Sequence, residues 1–308
     1  MKNSFTLLLI FITLIYSNSF DQLVDKEVDT TQKMYNPAIT TSLSIIPGGG
    51  QFYTKHLTKG FIFLGMETIM GSQSVLRWRW YHNAIETHSI AKFQYDSLTS
   101  ELKNNPNISP TDSILWASSL HYKEITDYDI EKNRISFINW SAWFGGIYVW
   151  NLLDGYGVSN KFKGAENPEP RRATLLSAIP FTGAGQFYNG NMFKGAMISV
   201  VEIGCMFSAI NFQRLMNSAE KYESDLKALP DSLYYKTPYT SQQEWRGRYD
   251  TAARSRTMFM WYGVMFYLYG IIDAMVDANL HDFDSHFKIM SGVDPIDQKI
   301  SFQLTKNF

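Results

Sequence analysis

The sequence predicts an all-α membrane protein built from two tandem repeats. Three observations predict this fold class: a glycine-rich motif occurs twice, four long apolar runs alternate with polar stretches, and tryptophan and tyrosine cluster at the ends of those runs. A repeated pattern indicates a duplicated structural unit. Apolar runs of about twenty residues are long enough to span a bilayer as helices, and aromatic belts are typical of membrane interfaces.

The duplication is the strongest of these observations. Gly50-Gln51-Phe52-Tyr53 recurs as Gly185-Gln186-Phe187-Tyr188, and one constant displacement relates all further matched pairs. These pairs are Gly48 with Gly183, Lys59 with Lys194, Gly60 with Gly195, and Glu67 with Glu202. Eight matches in one frame are improbable by chance, so we expect pseudo-symmetry, with parallel repeats because each contributes an even number of spans.

Composition excludes several classes of function. The 308 residues carry a formal net charge of −1, which gives no support for binding nucleic acid. Cys205 is the single cysteine, so an internal disulfide and a cysteine-rich metal site are both excluded. Cys205 lies in an apolar run, where a buried hydrophobic role is expected.

The first residues predict export. Lys2, an apolar stretch over 7–16 and the small residues Ser17 and Ser19 are typical of a secretory signal peptide over 1–19. Residues 20–36 are polar and rich in acidic residues, and they form a predicted leader outside the core. We therefore expect an exported protein that is located in the cell membrane.

Each repeat begins with a short apolar segment that ends at a proline. Repeat 1 covers 37–158 and repeat 2 covers 172–281, with a linker over 159–171. The short segments, 38–46 and 173–179, are too short to cross a hydrocarbon core of about 30 Å as helices. They are predicted to be broken or re-entrant, because proline and glycine interrupt a helix and permit a tight reversal.

Long apolar runs follow, and they are predicted to form four transmembrane helices. The runs are 57–76, 135–157, 193–212 and 258–280. Small residues such as Gly65, Gly71 and Gly204 would let these helices approach closely in lipid. A soluble helical core lined by aromatic residues is the alternative, favoured by a mean hydropathy of −0.20.

Polar insertions separate the two runs of each repeat. They cover 77–133 in repeat 1 and 214–254 in repeat 2, and both are predicted to be helical hairpins that leave the bilayer and bind protein partners. The tail over 282–308 changes character: Ile300, Phe302 and Leu304 alternate with polar residues, which predicts a short β-rich tail with one strand paired near Phe287.

The motifs resemble a known family. Pro47-Gly48-Gly49-Gly50-Gln51-Phe52-Tyr53, Lys59-Gly60 and Asn151-Leu152-Leu153-Asp154 are similar to an uncharacterised bacterial membrane family, a domain of unknown function. A more distant resemblance is to two-helix transmembrane domains with a glycine-rich loop. The chain departs from the pattern in Pro180-Phe181-Thr182-Gly183, which has inserted residues, and at Gly155, where repeat 2 has Ala274. The resemblance implies a membrane protein but no catalytic residue.

Glu67 and Glu202 are the sharpest functional candidates. Each lies two turns into a predicted span, where an ionised carboxylate costs about 2.5–3.5 kcal/mol on insertion scales. One hypothesis is a symmetric pair that binds a proton or cation. The other, which we favour, is a structural role in which each glutamate is neutral or caps the glycine-rich turn.

The remaining candidates have structural interpretations. Asp154, Asp273 and Asp277 are expected to pair with Lys59 and Lys194. Gln51, Tyr53, Gln186 and Tyr188 could satisfy backbone carbonyls freed at the broken helices. An anion cradle in the turns is less favoured, because no Gly-Lys-Ser/Thr ending follows. His281, Asp282, Asp284 and His286 match no established metal motif, so we predict no metal site.

The sequence thus favours a non-enzymatic membrane scaffold or assembly component that contacts lipid and protein partners. No catalytic constellation and no cofactor motif are present. The alternative is a small transporter or channel that works through Glu67 and Glu202, and a membrane-embedded enzyme is a third hypothesis.

Overall fold

The chain is helical over almost all of the residues that the structure describes. The computed structural model describes residues 35–104, 109–160, 162–227, 242–293 and 300–306. The predicted signal peptide over 1–19 and residues 20–34 of the predicted leader lie outside the described residues. The prediction of a helical protein is confirmed.

Four long helices dominate the fold. They are α3 (Leu57–Asn104), α4 (Pro110–Asn160), α7 (Met192–Lys227) and α8 (Gln242–His286). Each one continues without a break from a predicted apolar run into the adjoining polar insertion. Proline at the first turn of α4 suits a helix start, because that position needs no backbone donor. The described parts of both insertions are therefore extensions of the long helices.

Short helices precede α3 and α7. They are α1 (Pro37–Leu43), α2 (Gly49–Tyr53), α5 (Pro170–Ser177) and α6 (Ala184–Tyr188). Asn36 caps α1 by accepting hydrogen bonds from the backbone N–H groups of Ala38 and Ile39. At about 1.5 Å per residue, none of the four reaches across a bilayer. The predicted short segments 38–46 and 173–179 are thus helices that stop where a glycine-rich turn begins.

In the part of the chain that the structure describes, two helices, rather than the four predicted, are long and apolar enough to cross a membrane by length and composition alone. They are Met192–Asp225 and Gln243–His281. The runs 57–76 in α3 and 135–157 in α4 are diluted by Gly, Ser, Gln, Asn, Trp and Tyr, which lower their hydropathy. Two such helices are a weak indication of membrane association.

The chain divides into two compact units. Unit 1 comprises Met1–Phe63, Val149–Ile203 and Val264–Phe308, and unit 2 comprises Leu64–Tyr148 and Gly204–Gly263. In unit 1, Phe63, Trp150 and Phe193 form a buried aromatic cluster with ring centroids 4.9–6.2 Å apart. In unit 2, a cluster of buried hydrophobic residues joins α4, α7 and α8. Its buried members are Tyr128, Ile135, Leu215, Met216, Ala219, Trp245 and Ala252.

The C-terminal residues form a two-stranded antiparallel hairpin. Strand β1 (Phe287–Val293) pairs with β2 (Ile300–Lys306), and the register places Phe287 opposite Lys306 and Val293 opposite Ile300. The alternation at Ile300, Phe302 and Leu304 therefore lies in a strand. The hairpin is the sole strand pair among the described residues, and a two-stranded ribbon is marginal without further packing.

Candidate functional site

Both glycine-rich turns belong to unit 1. We define turn 1 as residues 48–60 and turn 2 as residues 183–195. In each, a left-handed glycine begins a five-residue helix, a reversal follows it, and a long helix begins. The same sequence positions make the same contacts in both turns, as the next paragraphs show.

The first glycine of each turn has a conformation and a packing that exclude a side chain. Gly48 has a φ of 69° and Gly183 has a φ of 55°. A Cβ atom on Gly48 would lie 2.2 Å from the carbonyl oxygen of Gly60, and one on Gly183 would lie 2.1 Å from that of Gly195. The repeated glycine pairs therefore mark a close backbone crossing.

The remaining glycines make room for neighbouring side chains. A Cβ on Gly60 would collide with the ring of Phe52, and one on Gly195 would collide with Phe187. A Cβ on Gly50 would lie 2.0 Å from the hydroxyl oxygen of Ser44, and one on Gly185 would lie 1.8 Å from the hydroxyl oxygen of Ser177. The contacts form a compact unit of short helix, turn and long helix.

The departure at Gly155 has a packing explanation. A Cβ on Gly155 would lie 2.2 Å from the Ser44 Oγ atom. In repeat 2, Ala274 occupies the corresponding position and is fully buried against Ala173 and Ala278. Repeat 1 thus needs glycine at this position, because the Ser44 hydroxyl occupies the space that a Cβ would need.

Each five-residue helix ends in a Schellman motif, which sequence reasoning missed. Lys55 (φ 66°) and Gly190 (φ 83°) occupy the left-handed position that follows the helix end. The N–H groups of His56 and Asn191 donate to the carbonyls of Gln51 and Gln186, at 2.9 and 2.8 Å. This is the six-to-one hydrogen bond of that motif. The glycine at position 190 could have indicated this motif from the sequence, whereas the lysine at position 55 gave no such indication.

The two buried glutamines bind the turns to α4 and α8, which we call the closing helices because each ends its repeat. Gln51 Nε2 donates to the carbonyl of Asn151 at 3.2 Å, and Gln186 Nε2 donates to the carbonyl of Gly270 at 2.6 Å. Both glutamines are fully buried. The prediction that they would serve carbonyls freed at the broken helices was wrong about the target, because the acceptors lie inside α4 and α8.

The predicted ion pairs are present. Lys59 Nζ lies 3.3 Å from Asp154 Oδ1, and Gln51 Nε2 also donates to this carboxylate at 3.2 Å. Lys194 Nζ lies 3.0 Å from Asp273 Oδ1 and 2.8 Å from Asp277 Oδ2. One cation from each turn is therefore held by one or two carboxylates on the closing helix, with little solvent access on either side.

The two tyrosines differ in their contacts. Tyr53 is exposed and makes an edge contact with Tyr35, with centroids 5.4 Å apart. The hydroxyl of Tyr188 accepts a hydrogen bond from the Glu169 N–H at 3.2 Å. The contacts described for the two tyrosines are therefore of other kinds than the predicted donation to a carbonyl of a broken helix, which stays a prediction.

Glu202 caps the turn, whereas Glu67 belongs to the other unit. The Oε2 atom of Glu202 accepts a hydrogen bond from the backbone N–H of Phe181, a non-glycine residue with a φ of 68° in the inserted segment. This is the kind of contact that the structural hypothesis requires. Glu67 is 2% exposed and lies in unit 2.

Sequence reasoning also missed the asparagines. Asn151 Nδ2 donates to the carbonyl of Ser44 at 3.0 Å, and Asn189 Nδ2 donates to the carbonyl of Ala274 at 2.7 Å. Each hydrogen bond joins the short-helix segment to the closing helix. The asparagine lies on the closing helix in repeat 1 and in the turn in repeat 2. A polar amide inside an apolar run, as at Asn151, was the signal available.

Candidate metal-binding groups are absent from the part of the chain that the structure describes. Among the described residues, no group of three or more His, Cys, Asp or Glu could hold a metal ion. His281 is exposed, and the side chains of Asp282, Asp284 and His286 lie outside the described part of the chain. The chemistry of the turns is therefore that of buried hydrogen bonds and ion pairs.

Together these features define, over the described residues, a helical protein with two glycine-rich turns and two helices apolar enough to span a membrane. Residues 166–307 match a family described as "Family of unknown function (DUF5683)". The match covers turn 2, α7, α8 and the strands, a little under half of the chain. It confirms a domain of unknown function. No curated protein and no solved structure matches the chain.

Proposed function

We propose that the protein is an integral membrane protein of the bacterial cell envelope that acts as a non-enzymatic scaffold or assembly component. The observation that carries the proposal is the apolar, uncovered surface of α8. Only 11% of its most apolar window is buried inside the protein, against 50% for α7.

The exposed residues of α8 are large and apolar. Leu268 is 52% exposed and Ile272 is 57% exposed, and other members of this surface are Met260, Trp261, Val264, Met265, Met275, Val276 and Leu280. Soluble monomers rarely expose continuous apolar patches of this kind. Hydrocarbon covers such a surface at no cost, so lipid is the proposed neighbour.

The proposal extends to four spans. Exposed apolar side chains also occur along α3, as at Phe61 and Ile69, and along α4, as at Val149. The apolar run of α4 contains more Gly, Ser and Asn than those of α7 and α8, but a bundle in lipid tolerates such residues where helices pack closely. The equivalent contacts in turns 1 and 2 support a tandem duplication that gives each repeat two spans.

The turns suit a structural role. Each lysine of a turn is paired with one or two aspartates on the long helix that closes its own repeat: Lys59 with Asp154, and Lys194 with Asp273 and Asp277. Paired charges, and buried glutamines that donate to α4 and α8, hold fixed positions, which suits a structural role.

The hairpin surface of unit 2 offers a place for a protein partner. Phe93 is 74% exposed at the rim of a cavity of about 460 Å³, which Leu98, Leu115 and Tyr122 also line. An apolar side chain of a partner would fill it. If a Phe93→Ser variant still copurifies with the same partner as the native protein, the proposal that a partner binds this surface is wrong.

Fractionation tests the membrane proposal. The native protein should remain in the membrane pellet after alkaline carbonate extraction and should need detergent for release, because its apolar surface has lipid as neighbour. A Leu268→Glu, Ile272→Glu variant should lose most of this retention, whereas Lys92→Glu on the exposed polar part of α3 should keep it. Release of the native protein by carbonate would contradict the proposal.

Glutamine substitution separates the scaffold from a transporter. Glu67→Gln with Glu202→Gln should preserve insertion, and stability should hold or rise, because the amide keeps the size of the side chain and removes the cost of a buried charge. The measurements are thermal unfolding in detergent and cation flux in reconstituted vesicles. Robust flux in the native protein that vanishes in the double variant would establish the transporter instead.

A further inference from the structure

Unit 2 carries a layer of cations at the level where the four long helices leave their apolar runs. The helices contribute Arg77, Arg79, Lys132, Arg134, Arg214, Arg254 and Arg256. Within 70–85, 130–145, 205–219 and 251–262, Glu131 is the only acidic residue. Seven cations and one carboxylate in four separate segments make a strongly cationic layer, which we call the arginine girdle.

Contacts between α3 and α4 place their girdle residues at one level. Ser74 meets Ser141 at 2.5 Å, and His88 Nδ1 lies 3.1 Å from Thr126 Oγ1. These two contacts bracket Arg79 on α3 and Arg134 on α4. Since the helices run antiparallel with this register, the two arginines lie within about one helical turn of each other.

The remaining helices continue the same layer. Asn211 on α7 donates to Asn139 on α4 at 2.7 Å, and Phe212 stacks on Phe259 of α8 with centroids 5.8 Å apart. Arg256 of α8 donates to the Gln213 side chain of α7. Arg214 and Arg256 therefore lie level with the arginines of the first two helices.

Three charges of the girdle are exposed and available for an external anion. Arg134 is held by Glu131 at 2.7 Å, and Lys132 lies 3.9 Å from Asp129. By contrast, Arg79 and Arg214 are exposed and have no acidic partner in the part of the chain that the structure describes. Arg254 is exposed, and its Nε atom donates to the carbonyl of Asp250 alone. Repulsion within such a layer favours a bound counter-charge.

Tryptophan flanks the girdle on the outside. Trp78, Trp80 and Trp261 are about half or more exposed, and the Arg77 guanidinium lies 4.2 Å from the centroid of the Trp80 ring. Exposed tryptophan beside arginine is typical of the headgroup level of a membrane, where the indole contacts acyl chains and the guanidinium contacts phosphate.

We propose that the arginine girdle binds the phosphate groups of anionic phospholipids at one face of the membrane. This inference rests on the proposed membrane function and specifies which lipids the protein recognises. Guanidinium groups bind phosphate through two parallel hydrogen bonds. Basic residues at the membrane surface are attracted to anionic leaflets, and salt weakens that attraction.

Thermal unfolding of the full-length protein in a neutral detergent tests the proposal. Added phosphatidylglycerol should raise the Tm by several degrees more than phosphatidylcholine does, because a ligand that binds the folded state stabilises it. An Arg79→Gln, Arg214→Gln, Arg254→Gln variant should lose at least half of this difference, and the corresponding Arg→Lys variant should keep most of it. A matched control with Lys92→Gln, Lys103→Gln and Arg171→Gln should keep all of it.

Several outcomes would overturn the proposal. These are an equal response of the native protein to both lipids, a full phosphatidylglycerol effect in the girdle variant, and an equal loss in the control. If the girdle variant does not fold, the native protein still gives a test, because high salt should abolish the difference between the lipids. Membrane retention in carbonate without a lipid difference would refute the girdle alone, whereas release would refute the membrane function.

Discussion

Single residues determine the geometry of the glycine-rich turns. The close crossing of Gly48 with Gly60, and of Gly183 with Gly195, leaves no room for a Cβ atom at the first position. Lys55 and Gly190 occupy the same left-handed position after the five-residue helices. One turn therefore uses glycine where a positive φ is needed, and the other uses lysine.

Lys55→Gly should stabilise the protein. A left-handed conformation costs a non-glycine residue about 1–2 kcal/mol, and the greater freedom of glycine in the unfolded chain offsets part of that gain. A net increase of about 0.5–1 kcal/mol in the free energy of unfolding is expected. The measurement is chemical unfolding in detergent, with Lys55→Gln as a control for charge. A stability loss on Lys55→Gly would show that the lysine side chain, rather than its backbone, matters.

At the residue scale, the sequence predicts the ion-pair partners of the two lysines better than the hydrogen-bond acceptors of the two glutamines. Lys59 and Lys194 pair with the predicted aspartates, because a buried charge requires a counter-charge. The targets of Gln51 and Gln186 were not predictable, since they depend on which carbonyls of α4 and α8 face the turns. The contact of Glu202 with Phe181 depends on the backbone of an inserted segment that has no counterpart in repeat 1.

The helices of the polar insertions form a bundle through their own core. Trp245 of α8 stacks on Tyr222 of α7 with centroids 5.0 Å apart, and it makes an edge contact with Tyr128 of α4 at 5.6 Å. Arg248 lies over both Trp245 and Tyr128 and is 3.2 Å from Asp129. The helical hairpins were predictable from composition, but their association was not, because the helices involved belong to different repeats.

Packing of α4 in this bundle should depend on pH through Glu124. Burial, together with the negative charge of Asp225, raises the pKa of Glu124 from 4.5 to about 7. The folded pKa exceeds the unfolded one, so the stability contributed by this group is full below about pH 4.5 and is lost as the pH rises through 7.

Glu124→Gln should therefore raise the Tm at pH 8 and leave it nearly unchanged at pH 4. The amide removes the charge that burial and Asp225 disfavour, and Lys123 and Lys221 reduce the effect without reversing it. The matched control is Glu220→Gln on the exposed surface of α7. An equal Tm change at both pH values would contradict this account.

At the scale of the whole molecule, the helical architecture was predictable and the number of spans was not. The four apolar runs differ in composition: those in α7 and α8 are apolar enough to cross a membrane, whereas glycine and polar residues dilute those in α3 and α4. Hydropathy measures each helix alone, but a membrane bundle buries its polar residues between helices. The exposed apolar surface of α8 is information that only a structure supplies.

The environment of that surface is the most direct test of the central claim. A spin label at Leu268→Cys, in a Cys205→Ser background, should be accessible to oxygen and protected from a water-soluble nickel complex when the protein is in lipid vesicles, because hydrocarbon covers α8. A label at Lys92→Cys should show the opposite pattern. If the nickel complex reaches position 268 of the folded protein as readily as position 92, α8 does not lie in the membrane and the account is wrong.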